Sequence, residues 1–179
     1  MSLYLLFDVG NTRLKWAVVE STQKPSDQQK KLKFIQCDDF GLFNESKETI
    51  SNKLQCDFKF DSIFSCLGGD PTNTDSVKKI DYEYTLNIAS LCEKFNISHF
   101  LLVSTKSADP NAFFEYVKIK GQADVDVQKK NINAISIFRP PLLEDREGAK
   151  FMEKCLSILP FYSKIKIKDL TYSMLVADV

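Results

Sequence analysis

Three residues offer a hydroxyl, a phenol and an amine within a short stretch of chain. Ser104 ends the apolar run His99 to Val103, which has the length and residue types of a buried strand. Tyr116 follows on a segment of helical character, and Lys120 comes four residues later, so phenol and ammonium share one helix face. If that face is turned to the strand end, all three groups converge on one small volume. A free tyrosine ionises at about pH 10, and a neighbouring ammonium favours the phenolate and lowers that value. The phenol then serves as general acid or base on a carbonyl or alcohol, while the serine hydroxyl holds the substrate oxygen. Tyr-x-x-x-Lys alone is a weak pattern. Its structural alternative is a core-facing tyrosine beside a solvated lysine.

These residues need a scaffold. Leu3 to Phe7 and Leu14 to Val19 read as strands, and Gly10-Asn11-Thr12 between them is a turn signal, so residues 1–20 are expected to form a hairpin. Residues 21–31 are polar, contain a proline and read as a loop. From Leu32 onward strands and helices alternate. Strands are expected at Leu32 to Cys37, Ser62 to Leu67, His99 to Ser104, Ala134 to Phe138 and Ile165 to Ile167. Helices are expected at Ser46 to Leu54, Asp81 to Phe95, Asn111 to Lys129, Glu147 to Leu159 and Leu170 to Ala177; in the second, Tyr84, Ile88, Leu91, Cys92 and Phe95 recur at helical spacing. This alternation predicts an α/β fold with a mostly parallel sheet covered on both faces. Ligands of such sheets bind beyond the carboxyl ends of the strands. Gly68-Gly69-Asp70, Ser104-Thr105-Lys106 and Arg139-Pro140-Pro141 all fall there.

Composition narrows the function classes. With 179 residues, 44% hydrophobic and 27% charged, the chain is long and apolar enough for one globular domain over residues 1–179. Twenty-four basic residues cancel twenty-four acidic ones, which argues against nucleic acid, a partner that demands a basic surplus. No apolar run is long enough to span a bilayer, and Met1-Ser2-Leu3 lacks a basic leader, so no membrane and a cytoplasmic location are expected. Cys37, Cys56, Cys66, Cys92 and Cys155 are scattered, and the single histidine is His99. That set fits free thiols and a structural histidine better than a metal site.

Four segments in order resemble the atypical short-chain dehydrogenase/reductases, and among them the Tat-interacting-protein oxidoreductase-like group. They are Phe-Asp-Ser-Ile-Phe-Ser-Cys-Leu-Gly-Gly (60–69), Ser-His-Phe-Leu-Leu-Val-Ser-Thr-Lys-Ser-Ala-Asp (98–109), Phe-Phe-Glu-Tyr-Val-Lys-Ile-Lys-Gly-Gln (113–122) and Ile-Ser-Ile-Phe-Arg-Pro-Pro-Leu-Leu (135–143). Leu32 to Asp39 looks like that family's third strand and its acidic end, which carries the resemblance over residues 32–176. The resemblance implies a Rossmann-like three-layer fold, NADP or NAD as cofactor, and hydride transfer to or from a carbonyl. It implies Ser104, Tyr116 and Lys120 as catalytic residues, with Lys120 also holding the nicotinamide ribose. Cys66, Leu67 and Gly68 would border the cofactor, and Pro140 would lie near the nicotinamide.

The family's glycine-rich loop after the first strand is missing. One glycine, Gly10, precedes Arg13-Leu14-Lys15-Trp16-Ala17, and Asn11-Thr12 is too short for a parallel crossover. The expected fold therefore replaces the usual first βαβ unit with the N-terminal hairpin. Pyrophosphate contacts would have to come from Gly10 to Arg13 or from Gly68-Gly69. The opening Leu-Phe-Asp-Val-Gly-Asn-Thr-Arg-Leu-Lys-Trp-Ala (6–17) resembles instead the start of type III pantothenate kinases. That likeness implies phosphate and metal contacts at Asp8, Gly10, Asn11 and Thr12, with Lys15 on the next strand, although a hairpin turn explains the same residues.

Three functions stay open at this level: an NAD(P)-dependent carbonyl or alcohol oxidoreductase, a catalytically silent Rossmann-fold binding or regulatory protein, and phosphoryl transfer at the N-terminal motif. The expected ligand is a small-molecule substrate or cofactor. The short tail after the last helix favours an open site or a partner subunit, as in a homodimer.

Overall fold

The computed structural model describes residues 2–10, 13–21, 32–37, 60–144 and 163–178, with the side chains described from residue 60 onward. Eight strands lie within this set: β1 (Ser2–Gly10), β2 (Arg13–Ser21), β3 (Leu32–Cys37), β4 (Ser62–Ser65), β5 (His99–Val103), β6 (Ala134–Phe138), β7 (Leu142–Glu144) and β8 (Lys164–Lys166). The helical elements are α1 (Thr74–Val77), a π-helical segment (Lys78–Tyr84), α2 (Thr85–Phe95), α3 (Glu115–Val127) and α4 (Ile167–Ala177). The expected helices at 46–54 and 147–159, and the loop at 22–31, lie outside the described residues.

Six strands form one sheet in the order β3-β2-β1-β4-β5-β6. β1 and β2 are antiparallel with Phe7 opposite Trp16, as the turn signal at residues 10–12 predicts. β2 and β3 are also antiparallel, with Trp16 opposite Ile35. From β1 across β4 and β5 to β6 the strands run parallel. The fold is thus α/β with a mostly parallel sheet, and its N-terminal unit is a hairpin. Because β1, β4, β5 and β6 point the same way, Gly10, Ser65, Val103 and Phe138 all end on one edge of the sheet.

Side-chain alternation along β4 to β6 sorts the core into two layers. Ile63, Phe100 and Leu102 pack with Ile88, Leu91 and Cys92 of α2 and Val127 of α3. Phe64 and Leu101 face the other way, against Leu170 and Met174 of α4. Helices therefore cover both faces where the four segments at 60–143 converge.

Several boundaries differ from expectation for local reasons. The helix expected at Asp81 starts at Thr74, because Asn73 accepts the Ser76 N–H at 3.1 Å and caps it there. It then widens into the π segment over Lys78–Tyr84 before resuming as α2. Asn96, in the left-handed region at φ 53°, ends α2, and the Ile97 N–H returns to the Cys92 carbonyl at 2.9 Å. α3 starts four residues later than expected. The Asp109 carboxylate captures the Asn111 N–H at 2.9 Å and its carbonyl the Ala112 N–H at 3.1 Å, holding a turn where a helix would begin. Ile167 belongs to α4 and not to a strand, and β8 pairs with β7 in a separate two-stranded sheet.

α3 docks closely on that turn. A Cβ at Gly121 would lie 2.3 Å from the carbonyl carbon of Asp109 and from the nitrogen of Pro110, so only glycine permits the contact. Gly121→Ala is expected to cost at least ~1–3 kcal/mol through forced backbone displacement. Urea denaturation of the two proteins measures it, and equal midpoints would show that the helix does not sit this close.

Candidate active site

Ser104 follows β5 and extends its ladder, donating its N–H to the Phe138 carbonyl at 2.7 Å. Its side chain is buried, and among the described residues its Oγ has no hydrogen-bond partner. An unpaired buried hydroxyl costs about 1–3 kcal/mol. Tyr116 stands half-buried in the first turn of α3, and Lys120 lies one turn further on, where it is only 6% exposed. The Lys120 Nζ donates to Asp81 Oδ1 at 2.9 Å and reaches the Val103 carbonyl at 3.4 Å. The Val103 carbonyl belongs to the peptide that carries the Ser104 nitrogen. The structure thus brings Lys120 and Ser104 to the same strand end, with Tyr116 one helical turn away.

Lys120 is therefore not the solvated lysine of the structural alternative. Its charge is answered by Asp81, a residue that sequence reasoning passed over. Asp81 is 2% exposed and lies in the π segment. The missed signal was its position: counting back from Ile88 and Tyr84, an aspartate occupies the apolar stripe of the helix. A charge on the inward face needs an inward partner.

The π segment is fixed to α3 at a second point. Tyr82 Oη donates to Asp126 Oδ2 at 2.7 Å. That hydrogen bond, then burial and then the carboxylate charge push the Tyr82 phenol above its ordinary value.

The positions implied for a cofactor line the same edge. Gly10 ends β1. Cys66 and Leu67 follow β4, and among the described residues nothing lies within 4 Å of where a Gly68 Cβ would be. Pro140 is buried just past β6, and its carbonyl accepts the Lys106 N–H at 3.0 Å. Arg139 beside it donates from Nε to Asp124 Oδ2 at 2.8 Å, while the buried Asp124 Oδ1 lacks a partner among the described residues. Tyr116, Lys120 and Asp124 thus form one column along α3, which meets β5 and the β6 loop.

One expectation about phosphate binding fails here. The Gly69 N–H already donates to Asp81 Oδ2 at 2.7 Å, and the Asp70 N–H to Ser76 Oγ at 3.2 Å. Those amides are committed within the protein, so Gly68-Gly69 cannot together cradle a pyrophosphate. In the N-terminal motif, Asp8 stands opposite Lys15 in the β1–β2 register. Asn11 and Thr12 lie outside the described residues.

The other reactive side chains lie elsewhere. His99 sits at the opposite edge, where β5 begins, with Nδ1 2.8 Å from Asp178 Oδ1 and Nε2 2.9 Å from Ser136 Oγ. Ser62 Oγ also donates to Asp178. The cluster borders a cavity of about 380 Å³, but its polar atoms satisfy one another and so fasten the end of α4 to three strands. Burial pushes the Cys92 thiol up, which leaves it unreactive. Among the described residues no group of three or more metal-ligating side chains occurs, and no helix is long and apolar enough to cross a membrane.

No family model matches the chain. The rat Protein HTATIP2 is 31% identical over 104 residues, which cover 54% of this chain and 43% of that protein. Protein FMP52-1, mitochondrial, of Scheffersomyces stipitis is 32% identical over 100 residues, covering 55% of this chain and 44% of the relative. Protein FMP52, mitochondrial, of Saccharomyces cerevisiae is 35% identical over 77 residues, covering 42% and 33%. The match therefore spans less than half the length of these relatives. The yeast names overturn the expected cytoplasmic location, since they place those relatives in mitochondria. Among solved structures, MoeE5 in complex with UDP-glucuronic acid and NAD superposes with a TM-score of 0.52 at 10% identity, over 65% of this chain and 51% of that one. That likeness establishes the shared fold.

Two outcomes test this geometry. Lys120→Met leaves the Asp81 carboxylate buried without its cation, and a loss of about 3–5 kcal/mol is expected in denaturant unfolding; a loss below 1 kcal/mol, well short of that range, would mean the pair is wet. Because its folded value is raised, the Tyr82 contact contributes fully below the unfolded value of about 10 and fades as pH climbs through the folded one. An absorbance titration of phenolate is expected to show a late step that Tyr82→Phe removes, and its persistence in the variant would assign it elsewhere.

Proposed function

We infer, from the likeness of this chain's body to HTATIP2 and FMP52-1, that it is of the atypical short-chain dehydrogenase/reductase type, that the edge formed by the ends of β1, β4, β5 and β6 binds NADP or NAD, and that Ser104, Tyr116 and Lys120 act there on a carbonyl or alcohol. The observation that carries this reading is the buried Ser104 hydroxyl, which has no partner among the described residues, at the strand end whose Val103 carbonyl the Lys120 ammonium reaches. A hydroxyl retained unpaired at the ligand-binding edge of an α/β sheet is accounted for by a ligand oxygen. The residues present fit the nicotinamide half of the dinucleotide: a Gly68 Cβ would meet nothing within 4 Å among the described residues, and Pro140 is buried just past the end of β6.

Each side chain then has a role. The Ser104 Oγ donates to the substrate oxygen and fixes it at the end of β5. The Tyr116 phenol gives a proton to that oxygen, or takes one from it in the reverse direction. Lys120 has three N–H donors; among the described residues two are directed to Asp81 and the Val103 carbonyl, and the third is assigned to the nicotinamide ribose. The bound cofactor supplies or accepts the hydride.

The pyrophosphate half is held less well. Without the glycine-rich loop, and with the Gly69 and Asp70 amides committed, several contacts worth roughly 0.5–1.5 kcal/mol each are missing. Cofactor affinity is accordingly expected to be weak. The same observation favours a second reading, in which the fold is a binding or regulatory module without turnover.

Calorimetric titration with NADPH and NADH separates these readings from a protein that binds neither. Saturable binding in the micromolar to millimolar range is expected; no heat and no fluorescence change at millimolar cofactor would overturn the proposal. With a panel of aldehydes and ketones, turnover that falls by about 10²-fold or more in Tyr116→Phe supports general acid catalysis, while absence of turnover with intact binding supports the silent module.

A further inference from the structure

We propose that Asp81 is the positioning residue of this site: its carboxylate holds the Lys120 ammonium at the end of β5 and locks it to the loop after β4. The inference rests on the reading of Lys120 given above, but its first test does not. One carboxylate oxygen takes the Lys120 Nζ at 2.9 Å, and the other takes the Gly69 N–H at 2.7 Å. Both side chains of the ion pair are buried, the aspartate at 1% and the lysine at 7% side-chain exposure.

The surroundings are built to allow this bridge. A Cβ at Gly69 would fall 2.8 Å from Asp81 Oδ2 and 2.9 Å from the Ser76 carbonyl, so glycine is required for the carboxylate to reach that amide. The π segment carries Asp81 inward while Lys78, Lys79 and Glu83 on the same turn stay exposed. Wide helical turns of this kind recur at functional sites, where they re-aim one side chain. A lysine on a four-carbon stem has many rotamers and loses its place readily. Asp81 removes that freedom and, through the Gly69 N–H, ties the ammonium to the residue that follows Cys66–Gly68, the loop implied to border the cofactor. The loop and the lysine are therefore set as one unit.

The experiment compares the wild type with Asp81→Asn and Gly69→Ala. Asn is nearly isosteric, yet without its charge it cannot both neutralise Lys120 and accept the Gly69 N–H as a carboxylate does. Gly69→Ala leaves both charges in place and pushes the carboxylate away by its methyl group, so it keeps the test valid should Asp81→Asn fail to fold.

The first readout needs no ligand. The ¹⁵N signal of the Lys120 ammonium, protected from exchange by its burial and ion pair, is expected in the wild type and lost in Asp81→Asn. Exchange of the backbone amide at position 69, corrected for the intrinsic rate of the residue there, is expected to quicken by about tenfold or more in both folded variants, a factor equal to about 1.4 kcal/mol of local opening. Unchanged signals would overturn the proposal. The second readout is NADPH affinity, expected to weaken about tenfold in either variant while the protein remains folded by circular dichroism. Equal affinity with a released lysine would reduce the pair to a structural staple and overturn the positioning role. A wild type that binds no cofactor would remove the oxidoreductase reading, and the exchange data would still decide whether Asp81 holds Lys120.

Discussion

An ammonium and a carboxylate cannot be taken out of water separately, because the desolvation of either is repaid only by the other and by well-placed hydrogen bonds. Lys120 and Asp81 are under that constraint, and much of the local structure follows from it. The pair needs Asp81 to turn inward, which the π segment achieves. It needs the second carboxylate oxygen satisfied, which the Gly69 N–H does. It needs α3 close enough for Nζ to reach the end of β5, which a glycine at position 121 permits. Remove the pair, and these three features lose their common cause.

The two edges of the sheet differ in kind. At the amino edge, Ser62, His99, Ser136 and Asp178 satisfy one another across three strands and a helix end. At the carboxyl edge, Ser65 and Ser104 end adjacent strands with buried hydroxyls that lack partners among the described residues. A closed polar network adds rigidity, whereas open buried groups cost stability and imply a missing partner. The asymmetry agrees with the general rule that parallel sheets bind ligands at their carboxyl ends.

The N-terminal hairpin sets the limit on what that edge can do. A βαβ crossover would have aimed the amino end of a helix at the ligand phosphates, with its free amides and partial positive charge. An antiparallel β2 fills the same place in the sheet, and among the described residues β1 is followed by a strand and not by a helix. Sheet continuity is preserved, since β1 still pairs in parallel with β4, but the phosphate-binding device is not. The parallel part of the fold is therefore separable from the unit that opens it.

Much of this was legible in the chain itself. Strands β3 and β6 fall at their expected residues, and the hairpin follows from Gly10-Asn11-Thr12, because alternation and turn chemistry are local properties. The placement of Ser104 at a strand end and of Tyr116 and Lys120 on one helix face was equally local. The start of α3 was misjudged because Asp109 holds a competing turn, and β7 was missed because three residues carry no period. What sequence alone determined was which residues could meet, since spacing along a helix or strand fixes direction. What only the tertiary structure decided was which partner each charge takes: Asp81 lies thirty-nine positions from Lys120, and burial, which makes that pairing obligatory, exists only once distant segments have packed.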